Sequence, residues 1–415
     1  MTLWTWTVLL FAVTATATGL YLSWRQKNAV RMHRTQVPAA FADSIKLAAH
    51  QKAADYTAAR LKLEDISQLT GLLVLLAWTL GGGLNLLDGV CDLAGLSGLW
   101  GGVVFMLLFF LISQLLDLPV DIYRTFAIEA RFGFNKITPG LYLADMLKQT
   151  LLMLLIGTPL LWVMLALMQG AGDQWWLYAW LVWGSFMLLM IWAYPTLIAP
   201  LFNRFEPLPD GEMKTRIESL LTRCGFHSSG LYVMDGSRRS SHGNAYFTGL
   251  GKAKRIVFFD TLVKQLKAEE TEAVLAHELG HFHHGHVKRQ IAMMLVLSLL
   301  GFALLGWLSQ QTWFYTGLGV NQPSNHAALT LFLLVMPAFT FVLTPLMNRF
   351  SRRNEFEADA YAVANSDGGA LISSLVKMYE DNASTLTPDA IYSAWHDSHP
   401  PAPIRIDHIE QCMRQ

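Results

Sequence analysis

The chain has 415 residues, 53% of them hydrophobic and only 15% charged, against about a quarter charged in ordinary soluble domains. Lys+Arg and Asp+Glu balance at 31 each, so the basic excess of a nucleic-acid-binding protein is excluded. Cys91, Cys224 and Cys412 are too far apart for any zinc–thiolate spacing and read as free thiols.

Seven apolar runs reach the roughly 20 residues that a bilayer crossing needs. They lie at about 3–24, 67–87, 96–118, 149–170, 175–198, 290–309 and 327–347. The first lacks a positively charged leader and a convincing small-residue cleavage site, so it reads as a retained anchor rather than a signal peptide. Between the spans, 25–66 is alanine-rich, mixed polar and helical in character. The stretch "PVDIYRTFAIEARFGFNKITPG" joins two spans, and its aromatics suit the membrane boundary. With the N-terminus outside, 25–66, 119–148, 202–289 and 349–415 fall on one side and hold every Lys and Arg in the chain. The opposite loops hold none, which places the basic segments in the cytoplasm.

The chain divides into a membrane region at 1–201, a polar segment at 202–289, two further spans within 290–347 and a polar end at 348–415. In the polar segment, "PLPDGEMKTRIESLLTRCGF" has the pattern of an amphipathic helix. "GLYVMDGS" and "AKRIVFFD" are short strand-like runs, with the glycine-rich polar stretch "RRSSHGNAYFTGLG" between them. From Ala268, "AEETEAVLAHELGHFHHGH" reads as a helix with Glu269, Glu270 and Glu272 near its start, where the macrodipole favours negative charge.

His277 and His281 are four apart on that helix, so they share a face and can grip one Zn²⁺. Glu278 lies beside His277 and can reach a water on the metal, completing the H-E-x-x-H pattern of zinc hydrolases. His283, His284 and His286 read as interfacial groups or as partners behind the ligands. Such a site needs a third protein ligand and an open position. The candidate is in "NRFSRRNEFEADAYAVANS", where Glu355 and Asp359 share a helix face. One carboxylate binds the metal while the other holds a ligand histidine by its second ring N–H. Glu357 is the rival, about 200° around the helix from Glu355; Glu355 is favoured.

Six blocks in order resemble the integral-membrane CAAX prenyl proteases, seven-span zinc metalloproteases of the gluzincin type. They are "LPVDIYRTFAIEARFGFNKIT", "PLFNRFEPL", "SSHGNAYFTGLGKAKRIVFFDTL", "LAHELGHFHHGH", "SRRNEFEADAYA" and "SHPPAPIR". The resemblance implies a mainly α-helical membrane protein, with seven tilted helices in a ring around a water-filled chamber and a small cytoplasmic α+β protease region. It makes His277, His281 and Glu355 the ligands of one zinc ion per chain, Glu278 the general base and Asp359 the group that orients a ligand. Asn244 matches a residue that contacts the substrate backbone, and His399 and Arg405 match groups near the scissile carbonyl. The implied partners are peptide or membrane-protein substrates and the bilayer. The compact cytoplasmic loops resemble bacterial members, which implies a bacterial inner membrane. The contrasting expectations are a seven-span transporter or lipid-binding scaffold with a structural zinc, and a catalytically silent chaperone on the same fold.

Overall fold

A computed structural model describes residues 1–248 and 255–415. Two long helices open the chain, α1 (Leu3–Met32) and α2 (Leu47–Trp78), packed on each other. Thr2 caps α1, its hydroxyl accepting from the Thr5 N–H at 3.2 Å. The sequence predicts an unbroken span at 67–87, but the helix stops at Trp78. The glycines at 81–83 follow, Gly82 at φ 78°, and the chain turns by 52° into α3 (Gly83–Leu93). Glycine's low helix propensity explains the break.

Next come α4 (Gly98–Tyr123), prolonged by a π-helical stretch at Arg124–Glu129, then α5 (Pro139–Gly170) and α6 (Trp175–Ala193). Thr138 caps α5 and Pro139 supplies its first turn. The polar unit runs β1 (Phe205–Pro207), α7 (Glu212–Arg223), β2 (Leu231–Met234), β3 (Ala245–Thr248), β4 (Arg255–Phe259), α8 (Asp260–Gln265) and α9 (Ala268–His283). The chain then crosses through α10 (His286–Leu308), turns at α11 (Thr312–Thr316) and returns through α12 (Asn325–Thr340). It continues into α13 (Thr344–Asn365) and finishes with α14 (Gly368–Asp381), α15 (Ala390–His396) and α16 (Ala402–Met413).

Among the described residues, six helical stretches are long and apolar enough to cross a membrane, and the bent α2–α3 pair would make a seventh. Only 11–28% of their apolar windows is buried inside the protein, so most of that surface faces outward, as lipid contact requires. Where the spans meet, Val103, Phe105, Met106, Phe314, Ala328 and Leu331 form a closed apolar core.

The sheet has the order β1-β2-β4-β3, with β2 and β4 parallel and both outer pairs antiparallel. The predicted strands are present as β2 and β4; the first two residues of "AKRIVFFD", Ala253 and Lys254, lie outside the described residues. β1 and β3 were not anticipated, because β1 is three residues long and ends in proline, and β3 sits in the glycine-rich stretch read as a connection. A second core of Ile217, Leu220, Ile256, Phe258, Leu262, Leu275 and Leu371 ties the sheet to α7, α9 and α14. This core fixes α9, and α9 packs most extensively on α13.

Candidate metal centre

Helix α9 is anchored at its start by Glu270. Its carboxylate accepts from the Lys267 N–H at 2.8 Å, from Ser373 Oγ at 2.7 Å and from Lys377 Nζ at 2.7 Å. Farther along, the helix comes very close to α13. A Cβ on Gly280 would meet the Ala358 Cα at 2.8 Å, so glycine at this position sets the separation of the two helices. That separation lets a short glutamate on one helix reach two histidines on the other.

His277 Nε2 and His281 Nε2 stand 3.2 Å apart. Glu355 Oε2 lies 3.4 Å from the first, and Glu355 Oε1 3.3 Å from the second. One ligand atom from each residue falls within a 4.8 Å cluster. Ligand atoms held at about 2.0–2.1 Å on one tetrahedral ion are about 3.3 Å from each other, so the three side chains fit an ion of zinc's size. The orphaned Glu355 Oε2 argues the same way: it is buried and has no hydrogen-bond partner, a costly condition without a cation.

The groups behind this cluster are also buried. Asp359 is fully enclosed and Oδ1 accepts from His277 Nδ1–H at 2.8 Å. That bond places the ring proton on Nδ1 and leaves the Nε2 lone pair facing the cluster. Arg405 donates to both oxygens of Asp359, from Nε at 2.9 Å and Nη2 at 2.5 Å, with Nη1 3.7 Å from Glu355 Oε2. Burial pulls the His277 pKa down, but the adjacent carboxylates of Asp359 and Glu355 outweigh it and raise it to about 9. The field at this nitrogen therefore favours positive charge.

Glu278 is half-buried beside His277 on α9. His399 is the exposed member, with Nε2 3.4 Å from Glu355 Oε1. It lines a cavity of about 430 Å³ that also touches Tyr56, Arg60, Tyr379 and Asp397. A second cavity of about 750 Å³ shares Tyr56 and Arg60 with the first. Asn244 is exposed at the head of β3, its Oδ1 accepting from the Ala245 N–H at 2.8 Å. No hydrogen bond joins it to the histidine–carboxylate cluster among the described residues.

The structure thus brings together His277, His281, Glu355, Asp359, Arg405 and His399 from three separate stretches of sequence, and leaves Asn244 on the sheet edge. Glu357 faces away from the cluster and bonds to His286 at 3.0 Å. Sequence reasoning missed the clamp of Arg405 on Asp359, since nothing local in "HPPAPIR" points to α13. His286 meets His281, Nδ1 to Nδ1 at 2.9 Å, one of the two placements the sequence left open for it.

Comparisons with known proteins cover nearly the whole chain. Residues 26–204 match the family described as "CAAX prenyl protease N-terminal, five membrane helices", and residues 207–413 match "Peptidase family M48". The CAAX prenyl protease 1 homolog of Arabidopsis thaliana is 39% identical, over 72% of this chain and 70% of that protein. CAAX prenyl protease 1 of Saccharomyces cerevisiae is 33% identical, over 92% and 89%. The crystal structure of S. mikatae Ste24p superposes with a TM-score of 0.92 at 31% identity, covering 99% of both chains.

Proposed function

The chain belongs to peptidase family M48 as a membrane metalloendopeptidase akin to CAAX prenyl protease 1, and on that premise we propose that its ion is a single Zn²⁺ held by His277, His281 and Glu355. The observation that carries this reading is the convergence of these three side chains within 4.8 Å, backed by Asp359.

When bound, zinc supplies Lewis-acid polarisation of the scissile carbonyl and of the attacking water. The remaining work belongs to the chain. Glu278 accepts the proton of the attacking water and later hands it to the leaving amine. Asp359 keeps the His277 proton on Nδ1, and Arg405, buried and committed to Asp359, holds that carboxylate in place. Arg405 is thus a positioning residue first. His399, exposed to the cavity, is the donor offered to the developing oxyanion. The free edge of β3 suits an extended peptide, with Asn244 at its start contributing backbone hydrogen bonds.

The reading extends to architecture and sidedness. The six spans and the bent α2–α3 pair form a seven-helix ring, and the two cavities meeting at Tyr56 and Arg60 are parts of one internal chamber. The substrates are peptides or membrane proteins, handled in processing or quality control. The compact cytoplasmic loops support a bacterial inner membrane, while the relatives named above are eukaryotic. The one-sided Lys and Arg distribution supports a site facing the cytoplasm.

Two measurements test this. Purified protein should carry one zinc per chain, lose peptide cleavage with a chelator and regain it with added Zn²⁺; undiminished cleavage by metal-free protein would remove the metal from the mechanism. For sidedness, Cys91 is only 3% exposed and cannot report, so cysteine is placed at the exposed Ser97 and Ser219. A membrane-impermeant thiol reagent on intact expressing cells should label Ser97→Cys and spare Ser219→Cys. The reverse pattern would invert the orientation.

A further inference from the structure

We propose that His286 and Glu357 form an outer chain that fixes the ring of His281, and that this chain sets the site's affinity for its ion. The inference rests on His281 being a metal ligand. His281 has its Nε2 turned to His277 and Glu355, and its Nδ1 stands 2.9 Å from Nδ1 of His286. His286 is 4% exposed, and its Nε2 lies 3.0 Å from Glu357 Oε2.

These contacts determine the direction of every hydrogen bond. With the His281 Nε2 lone pair facing the cluster, its proton sits on Nδ1 and is donated outward. His286 must accept it at a bare Nδ1, so its own proton is on Nε2 and is donated to Glu357. The order runs carboxylate, histidine, histidine, site. It parallels the direct Asp359–His277 pair, with one imidazole inserted. The two histidines are therefore held from different faces of α13, one directly by Asp359 and one through a relay from Glu357.

Local backbone chemistry explains why residue 286 can reach 281. In an unbroken helix, five residues turn the side chain about 140° away. The helix instead stops at His284, and Gly285 takes φ 68° before α10 begins. That left-handed step is readily available to glycine. It swings His286 back so that the rings meet at 5.1 Å between centroids, while His284 stacks on its outer face at 5.6 Å. Glu357 is held in turn by Arg353, Nε to Oε1 at 3.3 Å.

Partners behind metal-bound histidines typically control affinity by about 10–100-fold. Full-length protein in detergent, stripped of metal and titrated with Zn²⁺ against a competing chelator, tests the chain. His286→Phe keeps a ring but no acceptor and should weaken Zn²⁺ binding by about 10–100-fold, with cleavage restored at saturating Zn²⁺. His286→Gln, whose amide oxygen accepts, should recover part of the affinity. Glu357→Gln should weaken binding less, and should add nothing to His286→Phe, since Glu357 acts only through His286. Unchanged affinity in His286→Phe, or additive effects in the double variant, would overturn the chain. If His286→Phe fails to fold, the half-exposed Glu357→Gln carries the test alone, and unchanged affinity there overturns the proposal. His281→Ala separates the two readings: unchanged Zn²⁺ binding in that variant would sink the metal site itself, whereas loss of metal there with no effect at His286 sinks only the outer chain.

Discussion

Leu151 on α5 and Leu275 on α9 are the same residue in different solvents. Leu151 leaves 65% of its surface facing outward, while Leu275 is 1% exposed. Around Leu151 the apolar medium is lipid, and a helix that satisfies its own backbone can stand in it with little packing. Around Leu275 the medium is protein, and close packing fixes each position to a fraction of an ångström. Polar groups follow the opposite rule. The catalytic half buries His277, Glu355, Asp359 and Arg405 at 0–6% exposure. Charges are held where a rigid core keeps their partners in place, and the outward-facing half supplies location more than geometry.

The sharpest break in this comparison is removal of the buried carboxylate proposed as the third ligand. Glu355→Ala should lose zinc and all measurable cleavage, while Glu357→Ala stays loaded at saturating Zn²⁺. Metal analysis of both variants decides, and a metal-free Glu357→Ala protein would reassign the third ligand. Next in size is Glu278→Gln, expected to keep its zinc but to lose about 10²–10⁴-fold in cleavage rate. Turnover near wild type in a zinc-loaded sample would remove Glu278 as the base.

How much of this was legible in the sequence follows the same division. Hydropathy marked the long apolar helices because lipid imposes a length, while the glycine break after Trp78 and the 3₁₀ turn at Phe341–Leu343 escaped. The helix spacing of His277 and His281, and of Glu355 and Asp359, was readable because both pairs are local. How closely the two helices approach was not, since it depends on Gly280 against Ala358, a contact no periodicity announces. The clamp of Arg405 on Asp359 joins residues 46 apart and was equally invisible. β3 was obscured because its four residues sit inside a polar, glycine-rich stretch that reads as a connection.

Paired truncations sharpen the contrast between solvents. Leu275→Ala should cost about 2–5 kcal/mol, because a buried core position leaves a cavity. Leu151→Ala should change stability by no more than about 0.5 kcal/mol, as exposed sites do. Thermal unfolding in one detergent, followed through the loss of cleavage, compares them. Equal losses would mean that α5 packs against protein where it faces outward here.

A modest effect is also expected at Glu270, the anchor of α9. Burial raises its pKa, but Lys377, the Lys267 N–H and Ser373 outweigh that and hold the carboxyl below its ordinary value. A group whose pKa is depressed on folding adds stability that is fully present above the unfolded value and is lost as pH falls through the folded one. Glu270→Gln keeps the shape and removes the charge. It should therefore lower the unfolding midpoint near pH 7 by a few degrees, the shift per kcal/mol being about 2–4 °C for domains of about 150–250 residues. The gap between variant and wild type should narrow as pH drops below the ordinary glutamate range, where the wild-type carboxyl takes up its own proton. Acid also weakens histidine ligation, but equally in both proteins, so the difference at each pH isolates Glu270. A gap that stays constant down to low pH would mean that the anchor works through shape and hydrogen-bond count, and that the charge buried at the start of α9 contributes nothing to holding the ligand helix in place.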